Sequence, residues 1–229
     1  MPDLVTSIPT ILGAIGALGT AASGLVDASK VFNGGISNVG FGKIEEALRP
    51  FKLALTAAEW DWTSTIKANW VNGVPKNDQK AAAKSLIRLG LSPENAESMA
   101  GAGHVNPQKL KAAMIAVEAG TDLTPDQVNI LGRFNGAIDA AMDGGFERAD
   151  QVYRNAAKVW AGVAAVLLAI AGGAMVAMDG GKSLLAYFQS ALFAQAILIG
   201  IVAVPLAPVV KDLISSLQAA VTAIKVTKA

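Results

Sequence analysis

Residues 159–178 read VWAGVAAVLLAIAGGAMVAM, and residues 183–210 read SLLAYFQSALFAQAILIGIVAVPLAPVV. Neither stretch contains a charged side chain, and residues 179–182 alone separate them. A helix needs about 20 apolar residues to cross the hydrocarbon core of a bilayer, and both stretches are long enough. They therefore predict a transmembrane helical hairpin with a minimal turn.

The first arm of this hairpin has an apolar face that continues into charged sequence. Its apolar residues recur at alternating spacings of three and four from Phe146 through Tyr153 and Trp160 to Ala174. Such spacing is typical of one face of a helix. We therefore predict a single helix over residues 145–178 that begins in a soluble domain and enters the membrane.

Basic and aromatic side chains at the ends of the hairpin predict its orientation. The residues that we expect at the membrane interface are Arg154, Lys158, Trp160 and Lys211. By the positive-inside rule, residues 27–158 and the C-terminus lie in the cytoplasm, and the N-terminus and the turn lie outside. We expect a multi-pass protein of the bacterial inner membrane.

Residues 4–26 form a third uncharged stretch, which is richer in glycine and hydroxyl groups. Two rows of small residues run along it at a spacing of four, and we predict that they pack against another helix, because small residues let backbones approach closely in lipid. The rows are Gly13, Ala17 and Ala21, and Gly16, Thr20 and Gly24. An interfacial or pore-lining helix is the alternative for this stretch.

Three signals for the start of a helix lie between the apolar stretches. Ser92-Pro93, Asn106-Pro107 and Thr124-Pro125 each place a capping residue before a proline at the first helical position. Gly90 and Gly120 stand where glycine commonly ends a helix. The region therefore predicts several short helices in a compact all-α domain.

The region from Lys43 to about Asn72 carries apolar residues at helical spacing, with Pro50 inside it. Trp60, Trp62 and Trp70 cluster at its end. They fit the core of a helical domain and a belt at the membrane interface equally well.

The predicted fold class is an all-α integral membrane protein with about three transmembrane helices, namely an N-terminal span and the C-terminal hairpin. A compact helical soluble domain lies between them. The predicted segments are an N-terminal apolar transmembrane helix (1–28), a Gly-rich connector (29–42), the helical soluble domain (43–144), the long helix (145–178), a transmembrane helix (183–208) and an amphipathic C-terminal helix (209–229). The last of these lies on the membrane surface or pairs with a partner helix.

The composition limits the chemistry of the chain. Its 229 residues include no cysteine and one histidine, and the formal net charge is +1. The lack of cysteine excludes thiol chemistry, one histidine cannot build a zinc site, and the charge argues against nucleic acid as a partner. Gly181-Lys182-Ser183 lacks the first glycine of a phosphate-binding loop, because Val176 occupies that position. We therefore expect no catalytic residue, metal, cofactor or small-molecule substrate.

These observations predict a non-enzymatic structural or accessory subunit that anchors or organises a multi-subunit membrane assembly. Its expected partners are the lipid bilayer and other membrane subunits or copies of itself. The alternative is a homo-oligomeric channel or pore lined by the hydroxyl-rich flank of residues 4–26. A membrane-bound enzyme is a third and less favoured class. No ionisable residue lies inside the three uncharged stretches, which disfavours an ion-coupled transporter.

Overall fold

The computed structural model describes residues 4–227, except for the side chains of 4–9, 211, 214, 217, 218 and 220–227. The chain is 84% helical, and no strand occurs among the described residues. The helices are α1 Leu4–Ala28, α2 Ser37–Leu48, α3 Lys52–Ala58, α4 Trp62–Val71, α5 Lys76–Gly90, α6 Pro93–Met99, α7 Pro107–Glu118, α8 Pro125–Asp179, α9 Leu184–Phe188 and α10 Ala191–Thr227.

Three segments are long and apolar enough to cross a membrane. They are Thr10–Val31, Pro125–Asp179 and Ala191–Val210. The predicted all-α class and the three candidate spans are confirmed at this level. Insertion into a bilayer stays a prediction.

The chain folds as two compact units. The central unit is Ser37–Tyr153, and the terminal unit combines Met1–Ile36 with Arg154–Ala229. Helix α8 therefore contributes its first part to the central unit and its apolar part to the terminal unit.

The three predicted helix starts in the central unit are confirmed. Helix α6 begins directly after Ser92, and α7 begins after Asn106, whose Oδ1 accepts a hydrogen bond from the Lys109 N–H at 3.0 Å. At the start of α8, the Gln127 Oε1 accepts from the Thr124 N–H at 2.9 Å. Each interaction satisfies a backbone or side-chain group that the helix itself leaves unpaired.

The two glycines predicted to end helices have different roles. Gly120 follows α7 with a φ of +64°, the left-handed conformation expected of a C-terminal glycine. Helix α5 ends at Gly90 as predicted, but this residue is itself helical and Leu91 follows it in an extended conformation, so Gly90 does not end the helix through a left-handed conformation. A Cβ at Gly90 would overlap the Ala54 carbonyl oxygen and lie 2.7 Å from the carbonyl carbon. The close approach of α3 to α5 is therefore what requires glycine here.

The apolar stripe between Lys43 and Asn72 is divided among α2, α3 and α4. Pro50 lies in a 3-10 turn, Arg49–Phe51, that separates the first two helices. Asp61 begins α4, and its Oδ1 accepts from the Ser64 N–H at 3.4 Å. The stripe still supplies much of the core of the central unit through the buried residues Ile44, Leu48, Phe51, Leu55, Trp62 and Ile66.

Helix α8 is continuous from Pro125, so the boundary expected between residues 144 and 145 does not interrupt it. Gly145, near its centre, serves packing, since a Cβ on this residue would lie 2.5 Å from the Ala47 Cβ of α2. The expected connector over 29–42 is also shorter, because α2 begins at Ser37.

The second arm of the predicted hairpin is divided at a different place. Helix α9 is a short element, and Gln189 and Ser190 separate it from α10. Helix α10 then continues through Pro205 and Pro208, so the break expected between residues 208 and 209 is absent. Each proline removes one backbone hydrogen bond, but its φ suits a helix, and apolar helices tolerate such losses.

Candidate functional site

Helices α1 and α10 pack closely in the terminal unit. A Cβ on Gly19 would overlap the Ala203 carbonyl oxygen and lie 2.9 Å from the Ala207 Cβ. A Cβ on Gly16 would lie 2.8 Å from the Val210 Cγ1. Glycine at these positions allows the contact between the two backbones, which is the packing that apolar helices use in lipid.

The predicted rows of small residues meet this contact at Gly16. Among the described side chains of α1, those buried in the chain are Gly16, Gly19, Ala22 and Val26. Of the remaining predicted residues, Gly13 is half-buried, and those exposed are Ala17, Thr20, Ala21 and Gly24. Sequence reasoning missed Gly19, although it lies three residues after Gly16 and so on the same helix face.

Two hydroxyl groups in the second half of α1 are engaged within the helix. The Thr20 Oγ1 donates to the Gly16 carbonyl oxygen, and the Ser23 Oγ donates to the Gly19 carbonyl oxygen, both at 2.9 Å. These hydrogen bonds satisfy both hydroxyl donors without water. The polar flank of the sequence is therefore less polar in the folded helix than its composition indicates.

The predicted interface residues lie near the start of the apolar part of α8. Trp160 is 57% exposed, and Arg154 and Lys158 are also exposed. The side chain of Lys211 lies outside the described residues. Their location at a membrane interface stays a prediction.

Tyr187 on α9 is a polar anchor that sequence reasoning missed. The residue is fully buried, and its hydroxyl donates to the Ile170 carbonyl oxygen at 2.9 Å. A Cβ on Gly173 would lie 2.6 Å from this hydroxyl oxygen, so glycine makes room for the ring. The ring also packs against Phe188 and Phe193. A tyrosine in an uncharged stretch was the available signal, since its hydroxyl needs a partner when buried.

The three clustered tryptophans have different environments. Trp62 is buried in the core of the central unit. Trp70 packs edge-on against Phe146, and its Nε1 donates to the Ser37 carbonyl oxygen at 2.8 Å. Trp60 is 87% exposed. Core packing therefore accounts for two of the rings, and the exposed third requires a separate explanation.

A ladder of polar pairs joins α5 to α8 in the central unit. The Lys76 Nζ lies 2.6 Å from the Glu147 Oε1, and the Lys80 Nζ lies 2.6 Å from the Asp143 Oδ1. The next rungs are Lys84 with Asp139 and Arg88 with Asn135. The cationic residues of α5 and their partners on α8 each recur every four residues, so the antiparallel arrangement of the two helices places them opposite one another. The lysines are one-fifth to one-third exposed, and each pair contributes about 0.2–1 kcal/mol.

The described residues hold no group of three or more histidine, aspartate or glutamate side chains that would bind a metal ion. His104 is exposed in the loop before α7. The arrangement of side chains in the described residues therefore offers contact surfaces and open clefts, and no cluster suited to metal catalysis.

Comparison with known proteins gives no relative for this chain: no family model matches it, and no curated protein or solved structure matches it significantly.

Proposed function

We propose that the protein is a non-enzymatic structural or accessory subunit of a multi-subunit membrane assembly. The observation that supports this most is the apolar surface that the chain itself leaves uncovered. In the most apolar windows of the three candidate spans, 22%, 17% and 22% of the residues are buried. The remainder requires lipid or another helix as its environment.

The exposed surface of α1 favours a neighbouring helix. Its outward face carries Ala17, Ala21 and Gly24, and no atom lies within 4 Å of a Cβ built on Gly24. Small side chains gain little contact with lipid tails but allow a second helix to approach closely. Copies of this chain or other membrane subunits are the partners that we propose.

A pore remains the second candidate because of one cavity. It is open to the surface and has a volume of about 530 Å³ in the terminal unit, and its lining includes Thr20 of α1 and Ser215 of α10. The Thr20 hydroxyl already donates within its own helix, however. A water-filled path is better supported by donors that are free to bind water or ions, so we favour the assembly subunit.

The mass of the intact complex tests the proposal. The full chain would be purified in mild detergent and measured by native mass spectrometry. We expect an assembly that contains further copies or other membrane subunits. A monomeric protein without partners would contradict the proposal, whereas a cyclic homo-oligomer that makes liposomes leak would favour the pore.

Two substitutions on α1 separate assembly from folding. Gly24→Leu adds a side chain to the open face and should weaken assembly while the chain stays folded. Gly19→Leu inserts the same side chain against Ala203 and should disrupt the packing of α1 on α10. Normal assembly of a folded Gly24→Leu protein would exclude this face as the contact surface.

We further propose that the protein resides in the bacterial inner membrane with its central helical domain in the cytoplasm. The chain contains no cysteine, so any introduced cysteine is a unique thiol. Lys182→Cys in the hairpin turn should react with an impermeant maleimide added to intact spheroplasts. Lys67→Cys in the central unit should react only after lysis. The reverse pattern would overturn the proposed orientation.

A further inference from the structure

A half-open cleft lies on the central unit beside α2, α3 and the start of α4. It has a volume of about 480 Å³, within the range of about 300–1,000 Å³ typical of small-ligand pockets. Its charged lining comes from Glu45, Arg49 and Lys52. Two hydroxyl groups, from Thr56 and Thr63, line it as well. The cleft therefore combines cationic, anionic and hydroxyl groups in one concave surface.

The charged groups of this cleft are not neutralised by one another. Glu45 lies on α2 and Arg49 in the 3-10 turn that follows it, and no salt bridge within 4.0 Å joins the two side chains. Lys52 likewise forms no salt bridge with the described residues. By contrast, most lysines of the central unit are paired, as Lys43 is with Glu46 at 2.9 Å. The cleft thus keeps charges of both signs available for a ligand.

Two tryptophans complete the lining. Trp62 is 6% exposed and forms a fixed wall, whereas Trp60 is 87% exposed. An indole ring exposed to this extent gains free energy when a ligand covers it. Its face also attracts cations such as an ammonium group. Trp60 and the carboxylate of Glu45 therefore favour the same kind of group, a cation.

We propose that this cleft binds a phosphoamine, a compound in which a phosphate group is joined by a short chain to an ammonium group. Arg49 and Lys52 bind the phosphate through charge-assisted hydrogen bonds, with the threonine hydroxyls as further donors. Glu45 and Trp60 bind the ammonium group. Because the Glu45 carboxylate repels an anion that brings no positive charge of its own, bare phosphate should be the poorer ligand.

This chemistry has two sources, the headgroup of a zwitterionic phospholipid and a soluble phosphoamine. The test uses the full chain labelled with 5-fluorotryptophan. The four tryptophans of the chain then give separate fluorine resonances. Trp60→Phe assigns the Trp60 signal. Soluble O-phosphoethanolamine, inorganic phosphate and ethanolamine are titrated separately into the protein in a maltoside detergent. The lipid arm compares nanodiscs of phosphatidylglycerol with nanodiscs that also contain phosphatidylethanolamine.

We expect phosphoethanolamine, free or in lipid, to shift the Trp60 resonance. The free compound should bind about tenfold more tightly than inorganic phosphate or ethanolamine, and the double variant Arg49→Gln with Lys52→Gln should lose about tenfold in affinity. Glu45→Gln should remove the preference over inorganic phosphate. The matched control, Lys111→Gln with Arg133→Gln, removes two positive charges that do not line the cleft and should bind normally.

Each outcome decides the question. A response to the lipid alone assigns the cleft to a membrane headgroup, and a response to the soluble compound alone assigns it to a soluble ligand; both support the proposal. The absence of a shift with either form overturns it. Equal binding of phosphate and phosphoethanolamine, or unchanged binding by the Arg49→Gln and Lys52→Gln variant, overturns it as well.

Discussion

Replacing Gly90 by alanine should destabilise the central unit, whereas the same replacement at Gly132 should stabilise it. Alanine is favoured over glycine by about 0.8–1 kcal/mol inside a helix. At Gly132 in α8, no atom lies within 4 Å of the added Cβ, so much of this gain is retained. At Gly90, the Cβ would overlap the Ala54 carbonyl oxygen and lie 2.8 Å from the Ala58 nitrogen.

The stability change at Gly90 is negative because of the kind of atom that faces the added Cβ. All three nearest atoms belong to the backbone of α3, so no side chain can rotate away and the two helices must separate. Overpacking of this kind costs about 1–3 kcal/mol. The helical preference for alanine is smaller at the last residue of α5, so we expect a net loss of about 1–2 kcal/mol. The two variants should therefore differ by about 2–3 kcal/mol.

The assay is denaturant unfolding of the full chain in mild detergent, followed by tryptophan fluorescence. Trp62 and Trp70 are buried or packed against other rings in the central unit and report on its core. Gly136→Ala is a second control, because no atom lies within 4 Å of the added Cβ there either. A midpoint for Gly90→Ala equal to or above that of the unmodified protein would refute the reasoning.

Three further predictions concern single polar groups. Tyr187→Phe leaves a buried carbonyl of α8 without its donor and should cost about 1–3 kcal/mol, measured as a lower thermal midpoint in detergent; an unchanged midpoint would contradict the role of the hydroxyl. Lys80→Gln removes the ion pair with Asp143 and should cost about 0.2–1 kcal/mol at low salt. This difference should shrink in 1 M salt because salt screens exposed charges, and a salt-independent loss would point to packing instead. The hydrogen bond from the Ser92 side chain holds the pKa of Glu94 below its usual value of 4.5, so this group adds stability above that pH and loses it as the pH falls through its lower, folded-state pKa. Glu94→Gln should therefore lose less stability on acidification than the unmodified protein, and identical acid unfolding curves would contradict this.

The sequence alone predicts the elements that local chemistry controls. Capping residues before prolines locate the starts of α6, α7 and α8, because the unpaired groups at a helix start are satisfied within four residues. Long uncharged stretches identify the three candidate spans because length and composition are also local properties, which belong to one segment. The accessory-subunit and pore hypotheses stay predictions, because a function that consists of contact depends on partners that the chain does not contain.

Helix boundaries within the longer stretches were harder to predict, because they depend on competing effects. Pro50 coincides with a break, whereas Pro205 and Pro208 lie inside a continuous helix. The local loss of one hydrogen bond is similar in the three cases. Whether the helix breaks or continues at a proline depends on the packing that holds the flanking turns. That packing cannot be read from the sequence pattern.

The ladder between α5 and α8 shows what a pattern can reveal when two segments are compared. Lys76, Lys80, Lys84 and Arg88 share a spacing of four, and so do Asn135, Asp139, Asp143 and Glu147. Each set alone fits a solvated face, which is how isolated charges on a helix are ordinarily interpreted. Complementary sets of equal length and spacing favour a lateral pairing of two helices, so their joint occurrence was an available signal.

Glycine shows the limit of such comparison. Gly120 adopts a left-handed conformation, whereas Gly90 and Gly145 are helical and are glycines because another helix lies too close for a side chain. In the sequence, all three look like glycines that could end or interrupt a helix. Their roles are separated by the atom that a Cβ would meet, and that atom belongs to a distant part of the chain. A scan of alanine substitutions that reports the sign of the stability change would therefore map the helix contacts directly. The sign should be positive where the space is open and the backbone helical, and negative where backbone atoms lie opposite.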